Sequence, residues 1–354
     1  MWNYLDITVE QMFDEWVRWD GQAVGVDDGA LPGLQRVGFV RSVRSPQFEG
    51  MTFHEVLCKS ALNKVPAASA LPFRFTVNGY RGCSHACRYC FARPTHEYLD
   101  LNCGSDFDSQ VVVKTNVAEV LHRELRRRSW NRETVALGTN TDPYQRAEGR
   151  YALMPGIIEA LAGSGTPFSI LTKGTLLRRD LGLIADASTQ VPVSVAVSLA
   201  IGDDALHRDV EPGTPSPQAR LGLIGAIREA GLECHVMVAP VLPYLSDSVE
   251  QLDALLGRIA AAGASGLTVF GLHLRGSTRG WFMDWLARSR PGLVGDYQRL
   301  YRRGAYLPPE YRDMLRARVA PLVARHGLAR TMRMPPAPPP EMVAEPAVVQ
   351  PTLF

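Results

Sequence analysis

Six short apolar runs, separated by stretches of helical spacing, dominate the middle of this chain and leave it few architectures. The runs are Phe73–Val77, Thr134–Gly138, Phe168–Thr172, Val193–Leu199, His235–Ala239 and Leu267–Leu272. Between them lie Val117–Arg128, Gly156–Ala162, Pro217–Ala230 and Ser248–Ala262. In the first of these, Val117, Val120, Leu121 and Leu125 recur at the period of a helix. Ser216 and Pro217 open the third as cap and first helical residue, and Gly231 closes it. Strand and helix alternating in this way build parallel strands joined by right-handed crossovers. In the fourth run Val193, Val195, Val197 and Leu199 alternate with Ser194, Ala196 and Ser198. A branched face and a small, polar face suit a barrel wall with an occupied interior. The expected fold class is α/β, a partial (β/α)6 barrel of TIM type, with an open doubly wound sheet as the alternative. Val111–Val113 reads as a strand outside the regular count.

A chain of 354 residues has room for such a barrel with extensions. Hydrophobic residues make up 46% and charged residues 21%, ordinary globular usage that excludes wholesale disorder or a fibrous chain. Residues 1–70 lack clear periodicity and read as an N-terminal extension wrapped on the main domain. Residues 71–275 form the barrel. Residues 276–330, with twelve Arg in Arg275–Arg330 against four acidic residues, read as an Arg-rich helical C-terminal extension. Residues 331–354 hold seven Pro in 24 and read as a disordered tail.

The formal charge of +2 argues by itself for no nucleic-acid or membrane partner. Of the 38 basic residues only four are Lys, a skew that reflects codon composition and discounts the arginines as phosphate binders. The acidic N-terminus has no signal-peptide pattern, and the longest apolar run, Ile259–Leu274, is broken by glycines. A cytoplasmic protein is expected, in which six cysteines are metal ligands, catalytic or buried rather than paired in disulfides.

Three of those cysteines stand together in Cys83-Ser84-His85-Ala86-Cys87-Arg88-Tyr89-Cys90, directly after the first strand. Thiols so spaced converge only by wrapping a common centre, and a loop of this length presents three soft ligands to a [4Fe–4S] cube. Three ligands for four irons leave one iron open to a small molecule with an amine and a carboxylate. The alternative is a Cys3His zinc site using His85 in a zinc-stabilised nucleic-acid-binding module without catalysis. That module would usually bring a second Cys or His pair, whereas Cys58, Cys103 and Cys234 are isolated.

This spacing, with an aromatic before the last cysteine, resembles the cluster motif of the radical S-adenosylmethionine (SAM) superfamily. Asn78–Cys83, Arg93–Tyr98, Gly138–Gln145 and Leu171–Lys173 carry the likeness further. From about Asp20 to Gly327 the chain resembles the spore-photoproduct-lyase-like (DNA repair photolyase-like) branch, in an actinobacterial-type subgroup. Gly79 stands where that subgroup usually has Pro. The resemblance implies a [4Fe–4S] cluster on Cys83, Cys87 and Cys90, with SAM on the open iron and cleaved to a 5′-deoxyadenosyl radical that abstracts hydrogen. It further implies that Thr141 binds the SAM ribose, Lys173 the SAM carboxylate, and Ser198 another part of SAM. A flavodoxin or ferredoxin would supply the electron. Independently, all three lie at carboxyl ends of candidate strands, where barrel sites assemble. Asp142 and Tyr144 either line the same pocket or shape the turn before Pro143. Glu211-Pro212-Gly213-Thr214-Pro215 with Arg220 also fits the branch, and an ion pair fixing the loop is the favoured reading of Glu211 and Arg220.

Thr139 and Phe91 stand where the lyase has its hydrogen-donating Cys and relaying Tyr, which argues against that lyase's own reaction here. Tyr89 remains, and Cys103 or Cys234 could substitute only if folding brings one near the pocket. Arg123, Arg126, Arg127, Arg128 and Arg132, with Arg299, Arg302, Arg303, Arg312, Arg316 and Arg318, would permit a basic groove interleaved with Tyr297, Tyr301 and Tyr306. Phosphate contacts and base stacking would use such a groove, and a solvated Arg-rich surface is the plain alternative. The residues Gln350-Pro351-Thr352-Leu353-Phe354 resemble the peptide by which bacterial repair proteins dock on the DNA sliding clamp, with Gln350, Leu353 and Phe354 as anchors.

Overall fold

The computed structural model describes residues 38–66 and 71–329. Residues 1–37 and the Pro-rich tail with Gln350, Leu353 and Phe354 lie outside the described residues. Eleven strands are present among them: β1 (Phe39–Val43), β2 (Thr52–Val56), β3 (Leu62–Lys64), β4 (Phe75–Val77), β5 (Tyr80–Arg81), β6 (Gln110–Lys114), β7 (Val135–Leu137), β8 (Phe168–Thr172), β9 (Val193–Ser198), β10 (Cys234–Val241) and β11 (Gly266–Gly271). All six runs expected as strands are strands, and Val111–Val113 lies in β6.

The main sheet has the order β11-β10-β9-β8-β7-β4-β3. From β4 to β11 every neighbour is parallel and follows chain order, while β3 is antiparallel at the edge. Sequential order with right-handed crossovers keeps all the helices on one side, which is the winding of a barrel and not of a doubly wound sheet. The first and sixth strands of the series do not pair, so the barrel is partial.

Register assigns the two faces. Thr76 is opposite Ala136, Ala136 opposite Ser169, and Ser169 opposite Ser194. Ala196 is opposite Leu171 and His235, and Ser198 opposite Met237, which faces Thr268. These residues share the inner face, since neighbours in register point the same way and side chains alternate along each strand. The other face holds Val195, Val197, Val236 and Val238, each 2% exposed or less, against the helices. Each such burial is worth about 1.5–3 kcal/mol.

The helices Val117–Leu125, Leu153–Gly163, Pro217–Glu229 and Val249–Ala261 correspond to the four expected. Ser216 caps the third through Ala219 N, and Ser248 makes a capping box with Gln251 on the fourth. Asp204–Val210 adds a short helix after β9. Thr278–Ser289, Val294–Leu300 and Pro309–Arg325 follow β11, and the last packs on β11 and on Val249–Ala261. None of the helices among the described residues is long and apolar enough to cross a membrane.

A second sheet, β1-β2-β6-β5, stands beside the barrel. Its β2 is buried along its whole length although it contains His54 and Glu55. Ser42 and Gln110 hold the two nitrogens of His54 at 2.9 and 2.8 Å, while Arg41 and the Tyr151 hydroxyl hold Glu55 at 2.7 and 3.0 Å. Such pairing makes burial of a polar strand tolerable.

Candidate functional site

The cysteine loop leaves β5 through Gly82, whose φ of +84° is open to glycine. Thr141 Oγ1 and Gln145 Nε2 both donate to the Gly82 carbonyl, at 2.7 and 3.0 Å, and Gln145 Oε1 accepts from Ser84 N at 2.9 Å. Ala86, at φ +53°, turns the chain back so that its N–H reaches Cys83 O. On the far side Val210 O accepts from Arg88 N, and Gly213 N donates to His85 O. A Cβ on Gly213 would stand 2.0 Å from Ser84 O, so the Glu211–Pro215 segment backs the cysteine loop at a separation only glycine permits. Cys83 and Cys87 are buried and Cys90 half-buried, and all three are free thiols. Burial pushes the Cys90 thiol up to about 11 and holds Cys87 well above the ordinary range, so binding to a cation is what would ionise them.

Arg93 is the least expected member of this site. It is 0% exposed and donates to Cys87 O at 3.0 Å, Gly104 O at 2.8 Å and both oxygens of Asp108. Its guanidinium also lies 5.2 Å from the Phe107 ring and 4.9 Å from that of Trp281. The general abundance of Arg hides such a residue in the sequence, although it falls inside the Arg93–Tyr98 stretch.

Lys173 projects from the end of β8 into the barrel mouth. Its Nζ donates to Ser198 Oγ at 2.9 Å and lies 5.8 Å from the Tyr89 ring. Burial works against the charge of Lys173, but the Cys87 sulfur in its ionised form and the Glu211 carboxylate outweigh it and hold the ammonium above its usual pKa. Tyr89 in turn donates to Glu211 Oε1, and Arg220 pairs with Glu211 Oε2 at 2.7 Å. The favoured ion pair of Glu211 with Arg220 is therefore present, and Arg220 also binds the Ser198 carbonyl at 3.0 Å.

Asp142 ties the pieces together. It accepts from Thr172 Oγ1 at 2.5 Å, Lys173 N at 2.6 Å and Tyr144 N at 2.9 Å, and it lies 3.4 Å from His85 Nδ1. Burial alone would raise its pKa, but His85 and these donors bring the carboxyl to about 2. Asp142 thus faces the site, whereas Tyr144 is 2% exposed and packed in the core.

Of the residues expected at SAM, the structure brings Lys173 and Ser198 together and engages Thr141 elsewhere. Lys173 and Ser198 touch each other, whereas the Thr141 hydroxyl donates to Gly82 and accepts from Gln145, so it fixes the entry of the cysteine loop. Thr139 donates to Asn78 Oδ1 at 3.3 Å, and Phe91 is 41% exposed beside Cys90. Cys234 is 1% exposed and belongs to the core on the outer face of β10, and Cys103 offers its carbonyl to Arg93.

The donor set fits an iron–sulfur cube better than zinc. The imidazole of His85 is engaged by the Asp142 carboxylate and the Cys83 thiol, so it is not a spare fourth ligand.

The structure takes two of the three tyrosines out of the expected basic groove. Tyr297 and Tyr301 are 0% and 1% exposed, with hydroxyls bonded to the carbonyls of Pro243 and Leu272, and of the three only Tyr306 is open, at 39%. Arg299, Arg316 and Arg318 pair with Asp296, Asp313 and Asp247. The tyrosines do not interleave because packing under the C-terminal helices claims their rings.

Residues 77–256 match the family model described as the radical SAM superfamily. An uncharacterised protein of Mycobacterium tuberculosis is 77% identical over 343 residues, spanning 96% of this chain and 100% of its own. Among solved structures, spore photoproduct lyase complexed with dinucleoside spore photoproduct superposes with a TM-score of 0.59 at 15% identity, over 77% of this chain and 79% of that one. A variant of that lyase with bound AdoMet and dinucleoside spore photoproduct gives a TM-score of 0.56 at 15% identity, over 73% and 75%. At these identities the structural likeness shows a shared fold. Members of the matched family use a [4Fe–4S] cluster and SAM. The chain belongs to the radical SAM superfamily.

Proposed function

We propose that this protein is a radical SAM enzyme whose hydrogen abstraction serves repair or modification of a nucleic-acid base. Cys83, Cys87 and Cys90 hold the [4Fe–4S] cluster, supported by their free thiols on one braced loop. When bound, the reduced cluster and SAM supply a 5′-deoxyadenosyl radical and methionine. Lys173 meets the SAM carboxylate, Ser198 lies at the same end, and Thr141 reaches the ribose by exchanging one of its loop hydrogen bonds. The observation behind this reading is the half-buried ammonium of Lys173 at the barrel mouth, bonded to the Ser198 hydroxyl, over the Tyr89 ring and in the field of the Glu211 carboxylate. A partly desolvated ammonium with only one direct hydrogen bond from its side chain to a protein group has donors left for an incoming carboxylate. The inner face of β9 carries only the small side chains Ser194, Ala196 and Ser198, and enclosure of the site would keep water from a radical.

A ferredoxin or flavodoxin supplies the electron, and the Gln350–Phe354 peptide docks on the DNA sliding clamp. A cytoplasmic setting matches those partners. Deleting Gln350–Phe354 would abolish capture of the clamp in a pull-down, and unchanged recovery would remove the clamp from the proposal. Thr139 and Phe91 in place of a thiol and a phenol keep the lyase's own reaction out of it. Anaerobic reconstitution tests the core of the reading. About four irons and four sulfides, absorbance near ~400 nm and methionine release on reduction are expected. Colourless protein with stoichiometric zinc would replace the enzyme by a zinc-stabilised binding module.

A further inference from the structure

Past β11 the chain runs along the barrel mouth, and its side chains alternate sharply in character. Leu272 and Leu274 are 2% and 1% exposed in the core, with Leu274 N bonded to Ala305 O. Alternation turns His273 and Arg275 the other way. Phe270 is two residues beyond Thr268, which lies on the inner face. The His273 ring stacks on Phe270 at 5.5 Å and 15°, and Tyr306 stands edge-on to His273 at 5.7 Å. The Arg275 guanidinium lies 4.9 Å from the Tyr306 ring and donates to its hydroxyl.

Two features show that this array is unfinished. Tyr306 is 39% exposed, although its neighbours Tyr297 and Tyr301 are buried with their hydroxyls satisfied. Arg275 Nε and Ser277 Oγ are buried without a hydrogen-bond partner. Beside them Thr278 Oγ1 donates to Cys90 O at 3.1 Å, so the array borders the cysteine loop. Phe91, next to Cys90 in the chain, is 41% exposed.

We propose that Phe270, His273, Arg275 and Tyr306 form the substrate-recognition subsite and take one nucleotide of a single-stranded nucleic acid. The base lies against Tyr306 and His273, and a flanking phosphate accepts from Arg275. The subsite rests on the nucleic-acid reading given above and names the side chains that would serve it. Rings supply a sequence-tolerant platform for a base, and an adjacent guanidinium supplies the countercharge, the pairing by which single strands are held. Burial and Arg275 bring the His273 pKa to about 4, so its ring stacks as a neutral imidazole. A duplex offers no free base face, which is why a single strand or an extruded nucleotide is the fitting form.

The test uses the full-length, cluster-loaded protein and fluorescent oligomers of deoxythymidine, of uridine and of abasic deoxyribose, read by anisotropy across a salt series. Tyr306→Ala should weaken binding of the two base-bearing oligomers roughly fivefold or more and leave the abasic one unchanged. Tyr306→Phe, which keeps the ring, should retain most of the affinity. Arg275→Gln should weaken all three and lower the logarithmic salt slope by about one. Arg316→Gln, an exposed arginine paired with Asp313, is the control for general charge. A fourth oligomer, of deoxyuridine, differs from the uridine one in the sugar alone, and the tighter of those two identifies the sugar. If the parent protein binds no oligomer, the nucleic-acid reading falls and the subsite with it. If the parent binds but Tyr306→Ala and Arg275→Gln behave like Arg316→Gln, the subsite alone is wrong.

Discussion

Arg220→Met would strand a buried acid inside the site. Glu211 and Arg220 are both 0% exposed and meet at 2.7 Å. In the variant the carboxylate keeps its burial and loses its nearest countercharge, while the Ser198 carbonyl loses a donor at 3.0 Å. Removing one member of a buried pair costs about 3–5 kcal/mol. At roughly 2 °C per kcal/mol for a chain of this size, thermal unfolding should drop by roughly 6–10 °C. The pH dependence gives an independent sign. In the parent, burial would raise Glu211, but Arg220, Lys173 and Tyr89 outweigh it and hold the carboxyl at about 2. An unfolded Glu titrates near ~4.3, so this group stabilises the fold above that pH and the benefit is lost as pH falls toward 2. Without Arg220 the folded pKa moves up, and the loss on acidification shrinks. Denaturant unfolding of parent and variant at pH 7 and pH 4, followed by circular dichroism, reads both effects. Glu211→Gln combined with Arg220→Met should recover much of the loss. A single-variant penalty below about 1 kcal/mol, with the parent's pH slope intact, would refute the buried-pair argument.

Replacing Cys83, Cys87 or Cys90 by Ala should each remove cluster absorbance after reconstitution, whereas Cys58→Ala and Cys234→Ala should keep it, since both lie in the core. Lys173→Met should retain iron and lose SAM affinity, read by equilibrium binding to the loaded protein; unaltered affinity would take Lys173 out of the carboxylate site. Gly138→Ala should unfold the protein or cost several kcal/mol, because φ is +90° and the new Cβ would stand 2.0 Å from Leu171 O. Thermal melts of that variant within a degree of the parent would contradict the geometry.

The parallel series was legible because its strands are apolar and its helices periodic. The inner face of β9 could be named from Ser194, Ala196 and Ser198 alone, since alternation is a local property. The second sheet was not legible, because β1 and β2 contain Arg41, His54 and Glu55, which pattern reasoning places in solvent. Their partners Gln110 and Tyr151 are distant in the chain and known only once it has folded. The same holds in the site. Cys83, Cys87, Cys90 and Lys173 stood out through spacing and rarity, while Arg93 and Asp142 lie inside stretches that carry the likeness but act through bonds to backbone atoms that spacing does not show. The tyrosines 297 and 301 misled in the opposite sense, since their spacing matches a stacking groove while their rings are core.

The missing join between β4 and β11 has a consequence for what can be processed. A closed ring of strands would admit only a free end or a small molecule dropped in from above. On the proposed nucleic-acid reading, a wall not closed by strands would let a long polymer present an interior unit with both flanks outside and leave again without unthreading.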